Sequence, residues 1–280
     1  MRCAWQALIN LLPVWMRESV DRLAKNSLQE IHLRSNAPPE LNTTEQTIYL
    51  DRCVTAEDLR FVVNVATRYS PWNMTSTSSG FITAPGGHRI GLCGHAVMEC
   101  GKVKGIHDVT SLCIRVARDF AGISNGADDG YSSILIIGKP GSGKTTLLRD
   151  LIRSRSNLDV GSISVVDEKE EIFPRAFNQM CFNPGKHTDI ISGCGKREGI
   201  EMVLRNMNPT AIAVDEITAE DDCVALLHAG WCGVELIATA HAGCKEDLVS
   251  RPVYKPLLKS GLFDYLIVMN HDKTWRKETM

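Results

Sequence analysis

The chain has 280 residues, 44% of them hydrophobic and 23% charged, with a formal net charge of −2. That is enough for two domains and ordinary for a globular protein, so wholesale disorder is excluded and the charge offers no argument for nucleic acid as a partner. Ten cysteines without a C-x-x-C pair and eight histidines without zinc-finger spacing point to reduced, mostly buried thiols in a cytosolic protein rather than a disulfide framework or a structural zinc site.

Residues 4–16 are apolar but broken by Gln6, Asn10 and Pro13, too short to cross a bilayer. They predict a short amphipathic helix packing Trp5, Leu8, Leu11 and Leu12 on an N-terminal domain. Glu30-Ile31-His32-Leu33-Arg34 alternates like a strand. Residues 55–69 read as a helix capped by Thr55 with acids in its first turn. Residues 80–83 and 88–92 read as a hairpin turning at Pro85-Gly86-Gly87. This makes a small α+β module. A Gly-, Asp- and Asn-rich stretch at 119–130 separates it from the second half of the chain. The expected organisation is an N-terminal α+β domain at 1–122, a linker at 123–133 and a nucleotide-binding domain at 134–280. In the second half, apolar strands recur at 134–137, 162–166, 211–214, 235–240 and 265–269 with helices between them, the pattern of an α/β domain with a largely parallel sheet. The charged tail at 271–278 is expected to be solvated.

The strongest signal is Gly138-Lys139-Pro140-Gly141-Ser142-Gly143-Lys144-Thr145, which fits G-x-x-x-x-G-K-[ST] and continues into Thr146. It lies between a strand and a helix, the order a phosphate-binding loop requires. Glycines let backbone N–H groups converge on a phosphate, Lys144 adds a point charge and Thr145 offers a hydroxyl to Mg²⁺, so ATP with Mg²⁺ is the implied ligand. An apolar run ends in Asp215-Glu216, 77 residues beyond Gly138. There Asp215 suits the Mg²⁺ shell, through water, and Glu216 the polarisation of attacking water.

Other positions are more open. Asp167 and Glu168 come after another apolar strand, where one of them supplies a second carboxylate or the acidic run is a solvated loop. Thr239 and His241 close a further strand, where a polar group can sense the γ-phosphate. The segment Ile191-Ser192-Gly193-Cys194-Gly195 resembles a transporter-ATPase signature, but 77 residues between the two nucleotide motifs leave little room for that architecture. A Gly-rich turn before a helix at 197–206 accounts for it. Arg34, Arg89, Arg115 and Arg118 are candidates for an arginine finger, with Arg89 placed in the catalytic set.

Taken together, Glu-Ile-His-Leu-Arg from 30, Gly-Gly-His-Arg-Ile-Gly-Leu from 86, the phosphate loop, Val-Val-Asp-Glu-Lys-Glu-Glu-Ile from 165, Val-Asp-Glu-Ile from 214 and Thr-Ala-His-Ala from 239 resemble the stage III sporulation protein AA family over residues 20–270. That family is similar to the type II/IV secretion ATPases. The resemblance implies a RecA-like P-loop ATPase domain behind the N-terminal module. It also implies an acidic box at Asp167 and Glu168 and a histidine box at His241. It further implies a homo-oligomer, a hexameric ring, acting from the mother-cell cytoplasm on membrane proteins of a channel complex to the forespore, with no membrane span of its own. Only 39 residues come after His241 and no tetracysteine motif is present, so functions housed in those parts of the larger ATPases are not implied. Two other readings stand beside the motor: a nucleotide-gated scaffold with little turnover, and a nucleic-acid-dependent ATPase.

Overall fold

The computed structural model describes residues 1–68, 80–158, 160–177 and 179–280. The chain forms two compact units, one of residues 1–119 and 174–182, the other of residues 120–173 and 183–280.

The first unit begins with α1 (Trp5–Leu11) and α2 (Val14–Asp21). Pro13, the N-cap of α2, divides the expected single helix, because its ring cannot continue a preceding helical turn. Strands β1 (Leu28–Arg34), β2 (Glu40–Thr43) and β3 (Thr47–Tyr49) lead to α3 (Ala56–Thr67), then β4 (Phe81–Thr83), β5 (Arg89–Glu99) and β6 (Lys102–Arg115). The sheet order is β3-β2-β1-β6-β5-β4. Thr55 caps α3 as expected: its hydroxyl accepts from the Asp58 N–H while the Asp58 carboxylate accepts from the Thr55 N–H. Alternation along β1 turns Ile31 and Leu33 into a core with Leu8 of α1, Leu12 just beyond it, and Leu59 and Val62 of α3, all fully buried. Glu30, His32 and Arg34 therefore lie on the opposite sheet face.

The hairpin extends well past the expected end at residue 92. Glu99 pairs with Lys102 across Cys100-Gly101, whose φ angles are +50° and +75°, as a two-residue hairpin turn demands. Beyond Leu92 the side chains of β5 are exposed, so no buried stripe marks the strand in the sequence.

The second unit contains β7 (Ile134–Ile137), α4 (Lys144–Ser156) and β8 (Ile163–Asp167). The chain then gives β9 (Arg175–Ala176) and β10 (Gln179–Met180) to the first unit. It returns as β11 (Thr188–Ser192), α5 (Lys196–Asn206), β12 (Ala211–Ile217), α6 (Glu220–Trp231), β13 (Glu235–Ala240), α7 (Lys245–Ser250), α8 (Lys255–Ser260), β14 (Tyr265–Met269) and β15 (Trp275–Thr279). The sheet order is β11-β8-β12-β13-β7-β14-β15, parallel except for β15. β7 and β8 are buried at every position, which explains the unbroken apolar run of β7 and the mostly apolar one of β8, where only Ser164 and the terminal Asp167 are polar. Leu147, Leu148, Leu151 and Ile152 of α4 are fully buried, each contributing about 1.5–3 kcal/mol of apolar burial.

Two expectations are corrected by the strand pairing. Ile191 and Ser192 belong to the edge strand β11, hydrogen-bonded in parallel to β8, and not to a turn. The charged tail is not free in solvent: it pairs as β15 with β14, and the Trp275 indole donates to the Ile123 carbonyl at 2.9 Å. Both strands lie on sheet edges, where side chains stay polar and pairing on one side supplies the stability. The cysteines are free, as expected, but only Cys223 is buried, and Cys53, Cys93, Cys100 and Cys232 are exposed. Burial pushes the Cys223 thiol up to about 12. Among the described residues no helix is long and apolar enough to cross a membrane.

Candidate active site

The site is built at the C-terminal ends of adjacent parallel strands, where β7, β12 and β13 deliver their terminal residues to one edge. After β7 the chain turns through the glycine loop into α4. Gly143 precedes the helix with φ +100°, a conformation that side chains with a Cβ avoid. A Cβ on Gly138 would lie 2.4 Å from Ser142 Oγ and 2.8 Å from Met269 Cβ, so the loop closes only around glycine. Ser142 Oγ is buried without a hydrogen-bond partner. An orphaned hydroxyl inside a glycine cradle at a helix N-terminus fits an anionic ligand that would complete it. Lys139, Pro140 and Gly141 form the exposed tip, and Thr146 is half-buried in the first helical turn.

Lys144 is buried, and its ammonium donates to Gly138 O at 3.0 Å, Lys139 O at 3.2 Å and His241 Nδ1 at 3.1 Å. Burial pushes its pKa down, against the opposing pull of Asp215 and Glu216. Thr145 Oγ1 donates to Asp215 Oδ2 at 2.6 Å, and Thr239 Oγ1 donates to Asp215 Oδ1 at 2.5 Å. Burial nevertheless raises the Asp215 pKa. A carboxylate paired with a threonine hydroxyl, next to a buried lysine, is the donor set a hard cation such as Mg²⁺ takes beside phosphate oxygens. The residues therefore fit that ion and a nucleotide.

Glu216 has φ +59°, and the register of β12 against β13 shifts between Val214 and Ile217. A left-handed residue of this type costs roughly 1–3 kcal/mol and is retained where its surroundings over-determine it. Here Thr239 Oγ1 accepts the Glu216 N–H at 2.8 Å. The carboxylate meets His241 Nε2 at 2.5 Å and Lys169 Nζ at 2.9 Å. Since Nδ1 of His241 accepts from Lys144, its Nε2 carries the proton given to Glu216, and the ring links lysine to carboxylate. The two donors, Lys169 first, hold the Glu216 carboxyl down to about 2.

The acidic strand end divides into two roles. Asp167 is buried and accepts backbone N–H groups of Glu171, Ile172 and Phe173, the shortest at 2.8 Å, although burial raises its pKa. It organises the loop after β8. Glu168 pairs instead with buried Lys196, at 2.6 Å, and lines the same small cleft as Asp215 and Glu216. Lys169 and Lys196 escaped the sequence reading. The signal for Lys169 was its place directly after Asp167-Glu168; nothing local marks Lys196.

The arginines belong to the first unit. Arg34 pairs with Glu40 at 2.6 Å and Arg115 with Glu30 at 3.2 Å; Arg118 donates to the carbonyls of Lys25 and Leu28; Arg89 stacks 3.8 Å over the Phe81 ring.

The family model for sporulation stage III, protein AA matches residues 5–277. The chain belongs to that family. It is 34% identical over 281 residues to the stage III sporulation protein AA of Bacillus subtilis (strain 168), covering 95% of this chain and 91% of the relative. Among solved structures, the ATPase DotB of Legionella pneumophila matches with a TM-score of 0.63 at 16% identity, over 95% of this chain and 79% of that one. The pilus retraction motor PilT, solved with bound ADP, also matches at 0.63 and 16%, over 90% and 76%. Likeness at that identity shows the fold alone, shared with DotB and PilT: a P-loop α/β domain following a smaller N-terminal domain.

Proposed function

We propose that the protein hydrolyses Mg-ATP and serves as the motor of a sporulation channel complex between mother cell and forespore, working as a ring of six subunits bound to membrane partners on the mother-cell side. The observation that carries the ATPase reading is the 2.6 Å contact of Thr145 with Asp215, set beside buried Lys144 and the His241–Glu216 pair. Thr145 and, through water, Asp215 would hold Mg²⁺, which when bound neutralises charge on the phosphate oxygens. Residues 138–146 would wrap the phosphates, with Lys144 exchanging its contacts to the Gly138 and Lys139 carbonyls for phosphate oxygens. Glu216 would orient the attacking water and accept its proton, and His241 would keep the carboxylate aimed. Glu168 would serve as an accessory acid, and Arg89 would supply positive charge in the transition state.

A second reading rests on Glu216 being held by two donors at once, which suits a nucleotide-gated scaffold with little turnover. The test is Mg-ATP hydrolysis by purified protein over a range of concentrations, beside Glu216→Gln. The motor reading expects turnover per subunit that rises with concentration and disappears in the variant while ATP binding persists. ATP binding without turnover in either protein supports the scaffold, and absence of ATP binding refutes both.

A further inference from the structure

We propose that the N-terminal sheet carries a zinc site formed by Glu30, His32 and Cys113, separate from the nucleotide chemistry. The three donor atoms lie within 4.8 Å of one another. His32 on β1 and Cys113 on β6 are directly opposed across the antiparallel ladder. Glu30, two residues before His32, lies on the same face, since side chains two apart along a strand point the same way. That face is the polar one, because Ile31, Leu33, Leu112 and Ile114 fill the core on the other side. Backbone register alone therefore brings a carboxylate, an imidazole and a thiol together.

The distances suit one ion. Zinc bonds of about 2.0–2.2 Å to nitrogen and oxygen and about 2.3 Å to sulfur, at tetrahedral angles, set donor atoms roughly 3.3–3.6 Å apart. His32 Nε2 lies 3.2 Å from Glu30 Oε2 and 3.8 Å from Cys113 Sγ. Small side-chain rotations bring both edges to that range. Arg115 Nε holds the other oxygen of Glu30, at 3.2 Å, leaving Oε2 for the metal. A partner on the non-ligating oxygen is how ligand carboxylates are usually oriented. Arg34, the neighbouring cation on the face, is engaged by Glu40. The Glu30 and His32 side chains remain 34% and 23% exposed, so a water can take the fourth position. Sulfur, nitrogen and a single carboxylate select a borderline-soft divalent ion over Mg²⁺. On binding, the Cys113 thiol proton leaves to solvent and the thiolate takes its place on the metal, so two ligand charges balance the ion.

The test uses full-length protein stripped with a chelator and titrated with Co²⁺ as a spectroscopic probe, then with Zn²⁺. We expect one equivalent of Co²⁺ to give a thiolate-to-cobalt charge-transfer band with four-coordinate visible absorption, which Zn²⁺ bleaches. Cobalt at the oxygen ligands of the nucleotide site gives no such band, so failure of the ATPase reading and failure of this one are distinguishable. Cys113→Ser should abolish the band with the other nine cysteines intact. Glu30→Gln and His32→Ala should each weaken binding at least about tenfold, the lower end of what loss of even an outer partner costs. Independently of folding in any variant, Zn²⁺ should protect Cys113 from alkylation in the wild-type protein while leaving exposed Cys93 reactive. No charge-transfer band, a band that survives Cys113→Ser, unchanged affinity in both ligand variants, or equal alkylation of Cys113 with and without Zn²⁺ would each overturn the site.

Discussion

Gly138→Ala probes whether the glycine loop is closed by packing as tightly as its geometry states. The added methyl meets two atoms closer than 3 Å: Ser142 Oγ at 2.4 Å, on a short side chain that can rotate, and Met269 Cβ at 2.8 Å, fixed to the backbone of β14, with Ser142 Cβ next at 3.3 Å. The second contact forces the loop and the strand apart. Overpacking of this kind costs about 1–3 kcal/mol, which at about 2–4 °C per kcal/mol lowers the melting temperature of the second unit by roughly 2–12 °C. Ser142→Ala alone should act in the opposite direction. It removes a buried hydroxyl with no partner, a relief of about 1 kcal/mol in nucleotide-free protein. Combining the two should restore only part of the Gly138→Ala loss, since the Met269 contact remains, and the double-mutant cycle should show coupling between these neighbours. Calorimetry without nucleotide gives all four melting temperatures, and a fluorescent ATP analogue gives the affinities, which should fall in both single variants. A Gly138→Ala protein as stable as wild type would refute the packing argument, and full restoration by Ser142→Ala would show that Met269 is not the limiting contact.

Three further outcomes are expected. Burial raises the Asp215 carboxyl above its ordinary 3.8, so its ionised form costs stability once pH exceeds that folded value and costs nothing below the ordinary one. Asp215→Asn should then raise the melting temperature at pH 7, by an amount equivalent to about 1–3 kcal/mol, while abolishing Mg²⁺-dependent turnover; a gain equally large at pH 3 would contradict the electrostatic origin. Lys169 is the larger of two causes holding Glu216 down from 4.5 to about 2, and a depressed carboxylate stabilises above the ordinary value and loses that contribution as pH falls through the folded one. Lys169→Met should cost under about 1 kcal/mol at pH 7, because the pair is half-exposed, and the gap to wild type should close between pH 4.5 and 2; a pH-independent gap would point to packing instead. Arg155, 1% exposed, grips both oxygens of Asp128 at 2.5 and 2.6 Å and reaches Glu235 at 3.0 Å. Arg155→Ala should destabilise by about 3–5 kcal/mol in urea titrations, leaving the buried Asp128 carboxylate without its cation beside half-buried Glu235, and Arg155→Lys should recover only a fraction because it lacks the planar fork.

The parts of the site legible in the sequence are those whose chemistry is local. Phosphate binding needs glycines, a lysine and a hydroxyl in one contiguous turn, so residues 138–145 declare themselves between an apolar strand and a helix. Strands buried on both faces need mostly apolar runs, so β7, β8, β12, β13 and β14 could be read, and Asp215 with Glu216 stood out as acids ending one of them. The long-range pairings could not be read. Lys169 reaches Glu216 from 47 residues away, and Lys196 reaches Glu168 from 28. Sequence makes Asp167 and Glu168 equivalent acids. Only the fold gives one to three backbone N–H groups and the other to a buried lysine. The edge strands β11 and β15 stayed hidden because an edge may keep polar side chains once a neighbour supplies its hydrogen bonds. Local sequence determined where a glycine loop turns into a helix and which acids stand at strand ends. The strand order β11-β8-β12-β13-β7, permuted from the order along the chain, decided which cations face those acids, because a side chain's partners are set by spatial neighbours that sequence distance does not encode.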